Sequence, residues 1–193
     1  MHGETAPKIV EIATALMVEQ GYAGFSYADV SERIGIRKAS IHHHFPTKAE
    51  LAVAVLKRHR ERLEQSTHYL DSKFPDAFAR LRAYIQYWET CIRDRSVSIC
   101  VAALMSAELP SLPEEVQTEV RLHFEVLSSW IERTLKAGVK AKALKLNATP
   151  AAEAQVFMAT VHGAMLSARA SDSCEVFRIV TTAALNRLRA PKP

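Results

Sequence analysis

The sequence predicts an all-α fold, in which a small amino-terminal helix-turn-helix domain precedes a larger carboxy-terminal helical domain. Apolar residues recur every three or four positions through most of the 193 residues, which is the spacing of one helix face. Capping residues, Gly and Pro separate these segments, and no segment alternates convincingly enough to be a strand. With 48% hydrophobic residues, the chain can fill a sizeable core. We expect the two domains to comprise residues 1–52 and 53–193.

The first predicted helix ends at Gly21 and has an apolar face formed by Ile9, Ile12, Ala13, Leu16 and Met17. A second helix begins after Ser26, which forms a capping box with Asp29 in place of the usual Glu or Gln. It runs to about Ile34.

A third helix is predicted to follow a tight turn. Gly35 can adopt the left-handed conformation that ends a helix, and Arg37 begins the next one. Two helices joined in this way form a helix-turn-helix, which lays its second helix in the major groove of DNA. The segment after Gly35 is therefore the predicted recognition helix.

Six further helices are predicted after this motif. A capping box of Thr47 with Glu50 begins a long helix that continues towards Leu70. The remaining helices are expected near residues 78–92, 97–108, 114–137, 151–170 and 175–189, with Gly138 as a plausible stop of the fourth of these six. The stretch 97–108 is nearly uncharged and should be buried.

The amino-terminal residues resemble a known family. The segment Gly21-Tyr22-Ala23-Gly24-Phe25-Ser26 and the segment Ile41-His42-His43-His44-Phe45-Pro46-Thr47-Lys48-Ala49-Glu50-Leu51, at this spacing, are similar to the DNA-binding domain of TetR-family transcriptional regulators. The resemblance covers roughly residues 6–56 and combines several motifs. It implies a dimeric regulator, a repressor, that binds a palindromic operator and is released by a small-molecule effector.

The resemblance and the helix-turn-helix geometry give a set of expected DNA contacts. They are Ser26, Tyr27, Arg37, Lys38, Ala39, Ser40, His42, His43 and Lys48. Residues at the helix starts would position the phosphates, whereas Ala39 could touch a thymine methyl group. The alternative for the polar members of the set is a solvated surface. His44 is expected to pack against its neighbours.

Two positions depart from the common family pattern. Arg37 stands where many members have a Ser or Thr cap, so a side-chain cap is lost and a possible phosphate contact is gained. His42 stands where many have Tyr, and its imidazole can still bind a phosphate oxygen. The operator sequence therefore cannot be carried over.

The larger domain is expected to bind the effector and to pair with a second copy. In the family the last two helices form a four-helix dimer interface, although here they could instead complete the core of a monomer. Cys100 could sense oxidants, but its apolar neighbours favour a buried structural thiol. The candidate effector residues are Trp88, Cys91, Cys100, Leu104, Met105, Phe124, Leu127, Trp130, Phe157, Met158 and His162.

Composition excludes several other classes of protein. A formal charge of +4 and a pI near 9.0 favour an anionic partner only weakly. The chain has no nucleophile elbow, phosphate-binding glycine loop or His-Glu-x-x-His pair, so we expect no enzyme and no cofactor. Neighbouring helical histidines diverge by about 100°, so we expect no metal at residues 42–44. Without a leader or a membrane span, we expect a cytoplasmic protein. An architectural DNA-binding protein remains the rival interpretation.

Overall fold

The structure, a computed structural model, describes residues 5–190. Over this range the chain contains nine α-helices, one 3₁₀ turn and no strand, which confirms the predicted all-α class. The helices are α1 Thr5–Gly24, α2 Tyr27–Ile34, α3 Lys38–His44, α4 Lys48–Lys73, α5 Ala77–Arg93, α6 Val101–Ala107, α7 Glu114–Lys140, α8 Pro150–Ser171 and α9 Cys174–Leu188, and the 3₁₀ turn is Leu109–Ser111. None of them is long and apolar enough to cross a membrane.

The chain divides into two compact units. The first unit comprises residues 5–62 and 101–124, and the second comprises residues 63–100 and 125–190. The domain boundary that the sequence predicts between residues 52 and 53 is not tested by this division into compact units, and it stays a prediction.

The core of the first unit lies between α1, α2, α3 and α6. Helix α1 buries the apolar face that its periodicity predicts, except that Ile12 is only half-buried. Val30 of α2, Ile41 of α3 and Met105 of α6 are fully buried. Each of the short helices is therefore held by an apolar side chain that points inward, while its polar side chains point outward.

The core of the second unit contains α8 packed along α9. Thr149 caps α8 by accepting a hydrogen bond from the Ala152 N–H, and Pro150 occupies its first turn. The largest buried side chains of this helix pair are Phe157 and Phe177. A single antiparallel bridge, between Leu144 and Arg189, joins the loop before α8 to the end of α9.

The predicted role of Gly138 as a helix stop was wrong. Helix α7 continues to Lys140, and a Cβ atom at Gly138 would lie 2.4 Å from Leu144 Cδ1 and 2.9 Å from the Ala77 Cβ. The glycine is needed because Leu144 packs directly against the helix backbone. A close approach and a helix stop both require glycine, so the residue type alone does not separate them.

The predicted start of the buried helix near Val97 was also wrong. Residues 97–100 form bends, and α6 begins only at Val101. The amides of Ser96 and Val97 donate to the Cys91 carbonyl at the end of α5, so this segment completes the preceding helix. The expected burial is correct for Val101, Ala102 and Met105.

Candidate nucleic-acid interface

Helix α2 is fixed at both ends by the residues that predicted it. The Ser26 amide donates to Asp29 Oδ2 over 2.6 Å, and the Ser26 side chain accepts from the Asp29 amide, which together form the capping box. The Ser26 Oγ also accepts from the Ala28 amide over 3.2 Å. The Ser26 hydroxyl, which donates to Asp29 Oδ2 over 2.7 Å, and the Ser26 amide lower the pKa of the Asp29 carboxyl, so the cap stays charged. At the other end, the Gly35 amide donates to the Ser31 carbonyl over 3.0 Å.

The turn between α2 and α3 depends on the backbone conformation of Gly35. Its φ of 76° lies in the left-handed region, and a Cβ atom there would meet nothing within 4 Å. Glycine is therefore required for its φ angle and not for space. The Ser31 Oγ donates to the Ile36 carbonyl over 2.6 Å and holds the second half of the turn.

Helix α3 presents a continuous polar surface to solvent. Ile41 is fully buried and anchors the helix, and α3 contains no acidic residue. The exposed surface, which we call the α3 face, consists of Arg37, Lys38, Ala39, Ser40, His42 and His43. It carries two cations and several hydrogen-bond donors, the composition that binds phosphate oxygens and base edges.

The start of α3 has no side-chain cap. Arg37 occupies the N-cap position in an extended conformation, and its side chain makes no capping hydrogen bond. The substitution of Arg for the usual Ser or Thr therefore has the structural effect expected from the sequence: the amides of the first turn lose a side-chain acceptor.

Four rings, those of Tyr27 and of three histidines, form two contacting pairs at the end of α3. The ring centroids of Tyr27 and His42 lie 4.6 Å apart, and those of His43 and His44 lie 5.5 Å apart. His42 Nδ1 is 3.3 Å from the Pro46 carbonyl oxygen. His44 is half-buried, in agreement with a packing role.

The structure gives Tyr27 a packing contact. Its ring is 9% exposed, and its hydroxyl donates to the Phe45 carbonyl over 2.7 Å. Burial raises the pKa of Tyr27 to about 12, so the hydroxyl keeps its proton. Because that proton is already donated, a phosphate contact by Tyr27 would require a rearrangement, and this contact stays a prediction.

Lys48, at the first residue of α4, lies between two aromatic rings. Its Nζ atom is 4.7 Å from the centroid of Tyr22 and 4.5 Å from the centroid of Phe25. Partial burial lowers the pKa of Lys48, and the carboxylates of Glu108 and Asp29 oppose this shift. The sequence identified Lys48, but it did not indicate that Tyr22, Phe25 and Glu108 surround it.

A cavity in the second unit lies between the last turns of α4 and the second half of α7. Its volume is about 430 Å³, and its lining is mostly polar: Glu64, Thr67, His68, Asp71, Glu125, Val126, Ser129, Trp130 and Arg133. The indole N–H of Trp130 donates to Asp71 Oδ1 over 3.1 Å. Trp130 is the member of the predicted effector set that lines this cavity. The polar residues of the cavity were not predicted.

The other predicted effector residues are mostly packed in cores. Leu104, Met105 and Phe124 belong to the first unit, and Leu104 and Phe124 are half-buried there. In the second unit the set is buried: Trp88, Cys91, Cys100, Leu127, Phe157, Met158 and His162. Phe157 also lines a small groove with Asn147 and Arg187. Cys100 is 1% exposed, which agrees with the expected burial of its thiol.

Two family models match most of the chain. The model described as "Bacterial regulatory proteins, tetR family" matches residues 9–55, and the model described as "Tetracyclin repressor-like, C-terminal domain" matches residues 77–184. The first match includes all of α2 and α3, so the helix-turn-helix geometry and the family match refer to the same residues.

Solved structures and curated proteins give the same result. The crystal structure of a TetR-family transcriptional regulator from Agrobacterium tumefaciens has a TM-score of 0.95 and 45% identity, covering 97% of this chain and 98% of that one. The HTH-type transcriptional repressor NemR of Escherichia coli K12 is 26% identical over 175 residues, 89% of this chain and 87% of NemR. The HTH-type transcriptional regulator CymR of Pseudomonas putida is 28% identical over 138 residues, 70% of this chain and 68% of CymR.

Proposed function

Since this chain belongs to the TetR family of DNA-binding transcriptional regulators, we propose that it is a homodimeric repressor that binds a palindromic operator and releases it when an effector binds. The observation that carries the proposal is the α3 face, a row of exposed basic and polar side chains on a helix anchored by Ile41. Proteins of this family are in general regulators and not enzymes, and we propose no catalytic activity for this chain.

The α3 face supports a division of roles among its residues. Ser40 and His43 are exposed on the helix that we expect to enter the major groove, so we assign them to base edges, with Lys38 and Ala39 beside them. Arg37, His42 and Lys48, with Ser26 and Tyr27 at the start of α2, are assigned to phosphate contacts that position the domain.

The outer side of α8 supports dimerisation through the last two helices. Small and apolar residues recur there at helical spacing and are exposed or half-exposed in the monomer: Ala152, Val156, Ala159, Gly163, Leu166 and Ala170. We call this surface the α8 face. Leu166 is 53% exposed, and on α9 Ile179 is 58% exposed. A Cβ atom at Gly163 would meet nothing within 4 Å, which leaves room for a second helix to approach closely.

The polar cavity between α4 and α7 supports an effector site in the second unit. It has the volume of a small-molecule site, and Glu64, Asp71 and Glu125 outnumber Arg133 among its charged residues. Helix α4 supplies residues to this cavity and also carries Lys48 at its first turn. An effector that displaces α4 would therefore change how the DNA-binding residues are presented.

Relatives with the word repressor in their names, NemR of Escherichia coli and DhaR of a Mycobacterium species, support repression in preference to activation. A related protein, FasR of Mycolicibacterium smegmatis, is named an activator and matches a shorter part of this chain. Binding to chromosomal DNA would place the protein in the cytoplasm.

The proposal is tested by selecting bound sequences from random duplexes and comparing the selected duplex with an arbitrary one at physiological salt. A regulator should prefer a single inverted repeat by roughly 10³-fold or more. Nearly equal binding of the two duplexes would instead indicate an architectural DNA-binding protein. Adding cell metabolites to the complex then tests release, which should show as lost operator binding with unchanged binding of arbitrary DNA.

A further inference from the structure

A carboxylate from a segment distant in sequence holds a turn inside α1, which begins where the backbone leaves the helical conformation at Gly21. The backbone N–H of Tyr22 donates to both oxygens of Glu108, over 3.2 Å to Oε1 and 3.1 Å to Oε2. Glu108 lies directly after α6, and both residues belong to the first unit. Hydrogen bonds to a charged acceptor are about twice as strong as neutral ones, so this contact constrains the turn strongly.

The backbone at this turn is shaped to admit the carboxylate. Gly21 has φ 76° and ψ 177°, a conformation that is essentially restricted to glycine. A Cβ atom at Gly21 would lie 2.4 Å from Glu108 Oε1 and 3.1 Å from Glu108 Cδ. Any other residue at this position would both strain the backbone and displace the carboxylate. The Glu108 carboxylate can therefore occupy this position only because residue 21 has no side chain.

The turn held by Glu108 also supports the cation of Lys48. Tyr22, whose amide binds Glu108, places its ring 4.7 Å from Lys48 Nζ, and Phe25 places its ring 4.5 Å away on the same cation. The rings of Tyr22 and Phe25 meet edge to face, with centroids 6.4 Å apart. The negative charge of Glu108 also favours the protonated form of Lys48, against the effect of partial burial on its pKa.

We infer that Glu108 is a positioning residue for DNA binding: it fixes the turn at Gly21, and through this turn the cation at the start of α4. This inference rests on the proposed function, because it assigns the effect to operator affinity. Glu108 itself touches no DNA: it acts through the Tyr22 backbone and the ring pair that encloses Lys48. A carboxylate close to a DNA-binding surface repels phosphate, so its removal should strengthen binding unless it has a positioning role.

Loss of the charge alone should raise DNA affinity, whereas loss of the positioning contact should lower it, so Glu108→Ala distinguishes the two effects. A matched control is Glu61→Ala, which removes the same charge from an exposed position on α4 in the same unit. We expect Glu108→Ala to weaken binding of the selected operator by about tenfold, the effect of one lost charge-assisted hydrogen bond. Glu61→Ala should leave operator binding unchanged or slightly stronger. An arbitrary duplex should also bind Glu108→Ala less tightly, because Lys48 is assigned to phosphate contacts that do not depend on sequence, whereas it should bind Glu61→Ala at least as well as it binds the parent protein.

Amide hydrogen exchange of Tyr22, measured by NMR without DNA, provides an independent readout. Its exchange should be about tenfold faster in Glu108→Ala and unchanged in Glu61→Ala. If Glu108→Ala does not fold, Glu108→Gln keeps the size and one acceptor oxygen, and it should weaken operator binding and speed Tyr22 exchange by less than about tenfold, whereas the Glu61→Gln control should do neither.

The possible outcomes separate the two ideas. Equal operator affinities for the Glu108 and Glu61 variants, with operator preference intact, would overturn the role of Glu108 and leave the proposed function standing. A parent protein with no preference for any duplex would refute the proposed function and the assigned role together, whereas faster Tyr22 exchange would then show only that Glu108 stabilises the turn.

Discussion

The α3 face and the α8 face are both exposed, but their chemistry is opposite. The α3 face carries Arg37, Lys38, Ser40 and two histidines, whereas the α8 face is small and apolar and includes a glycine with open space beside it. A charged, hydrogen-bonding surface suits a polyanion, and an apolar surface with small residues suits a second protein helix. Exposure alone therefore indicates neither partner, whereas the composition of each face supports the partner that we propose for it.

The largest expected effect concerns the α8 face. Leu166→Glu would place a carboxylate from each copy in an apolar interface, where burying an unpaired charge costs several kcal/mol. We expect the dimer dissociation constant to rise at least about 100-fold, measured by sedimentation, and operator binding to fall because one subunit contacts one half-site. Tyr69→Glu is the control, since Tyr69 is 58% exposed on α4 and outside the α8 face. If the Leu166→Glu variant dimerises as tightly as the parent, the α8 face is not the dimer interface, and the proposed difference between the two faces is wrong.

The inward side of α8 gives the second prediction. His162 is 8% exposed, and burial lowers its pKa from the ordinary 6.5 to about 4. The unfolded chain therefore binds a proton that the folded chain excludes between these pH values. The contribution of neutral His162 to the free energy of unfolding is fully present above pH 6.5 and is lost as the pH falls towards 4. At pH 5 the loss is about 2 kcal/mol.

Denaturant unfolding at pH 7.5 and pH 5 measures this dependence on pH. The parent protein should lose about 2 kcal/mol more stability over this interval than His162→Gln, which has no titrating group. Equal losses in the two proteins would mean that His162 is protonated in the folded state.

The third prediction distinguishes residues of the α3 face from Lys48 at the start of α4. Ser40→Ala or His43→Ala should reduce discrimination among operator bases by about 1–3 kcal/mol at the affected position. Lys48→Ala should weaken all sequences alike and reduce the salt slope by about one unit. Competition binding with single-base operator variants at several salt concentrations measures both effects. The same uniform loss for all three substitutions would reject the division of roles.

The smallest effect concerns the missing cap of α3. Arg37→Ser would supply a side-chain acceptor to the first turn and should raise the free energy of unfolding by about 0.5–1 kcal/mol. It should also remove one phosphate contact and reduce the salt slope by up to about one unit. A variant with greater stability and weaker DNA binding would show that Arg37 is kept for binding. Loss of stability would mean that Arg37 supports α3 in another way.

Local sequence signals predicted helix α2 and the turn that follows it well. The capping box of Ser26 and Asp29 and the glycine at position 35 define α2 and the turn because these interactions span only a few residues. Long-range contacts could not be predicted in this way. The Tyr22 amide meets a carboxylate 86 positions away, and Gly138 is required by Leu144 packing on its backbone. The polar cavity was missed for the same reason, since its lining joins separate turns of α4 and α7 that an apolar pattern does not mark.

The open space beside Gly163 has a consequence for how such regulators diverge. If α8 pairs with its own copy as proposed, every substitution there is introduced twice, so a single codon change alters both halves of the pairing surface. After gene duplication, one enlarged side chain at this position would weaken the self-pair, which contains it twice, more than the mixed pair, which contains it once. A second change that opens space on the facing helix would restore the self-pair and leave the mixed pair poorly packed. Each paralogue could then acquire its own regulon without interference from the other.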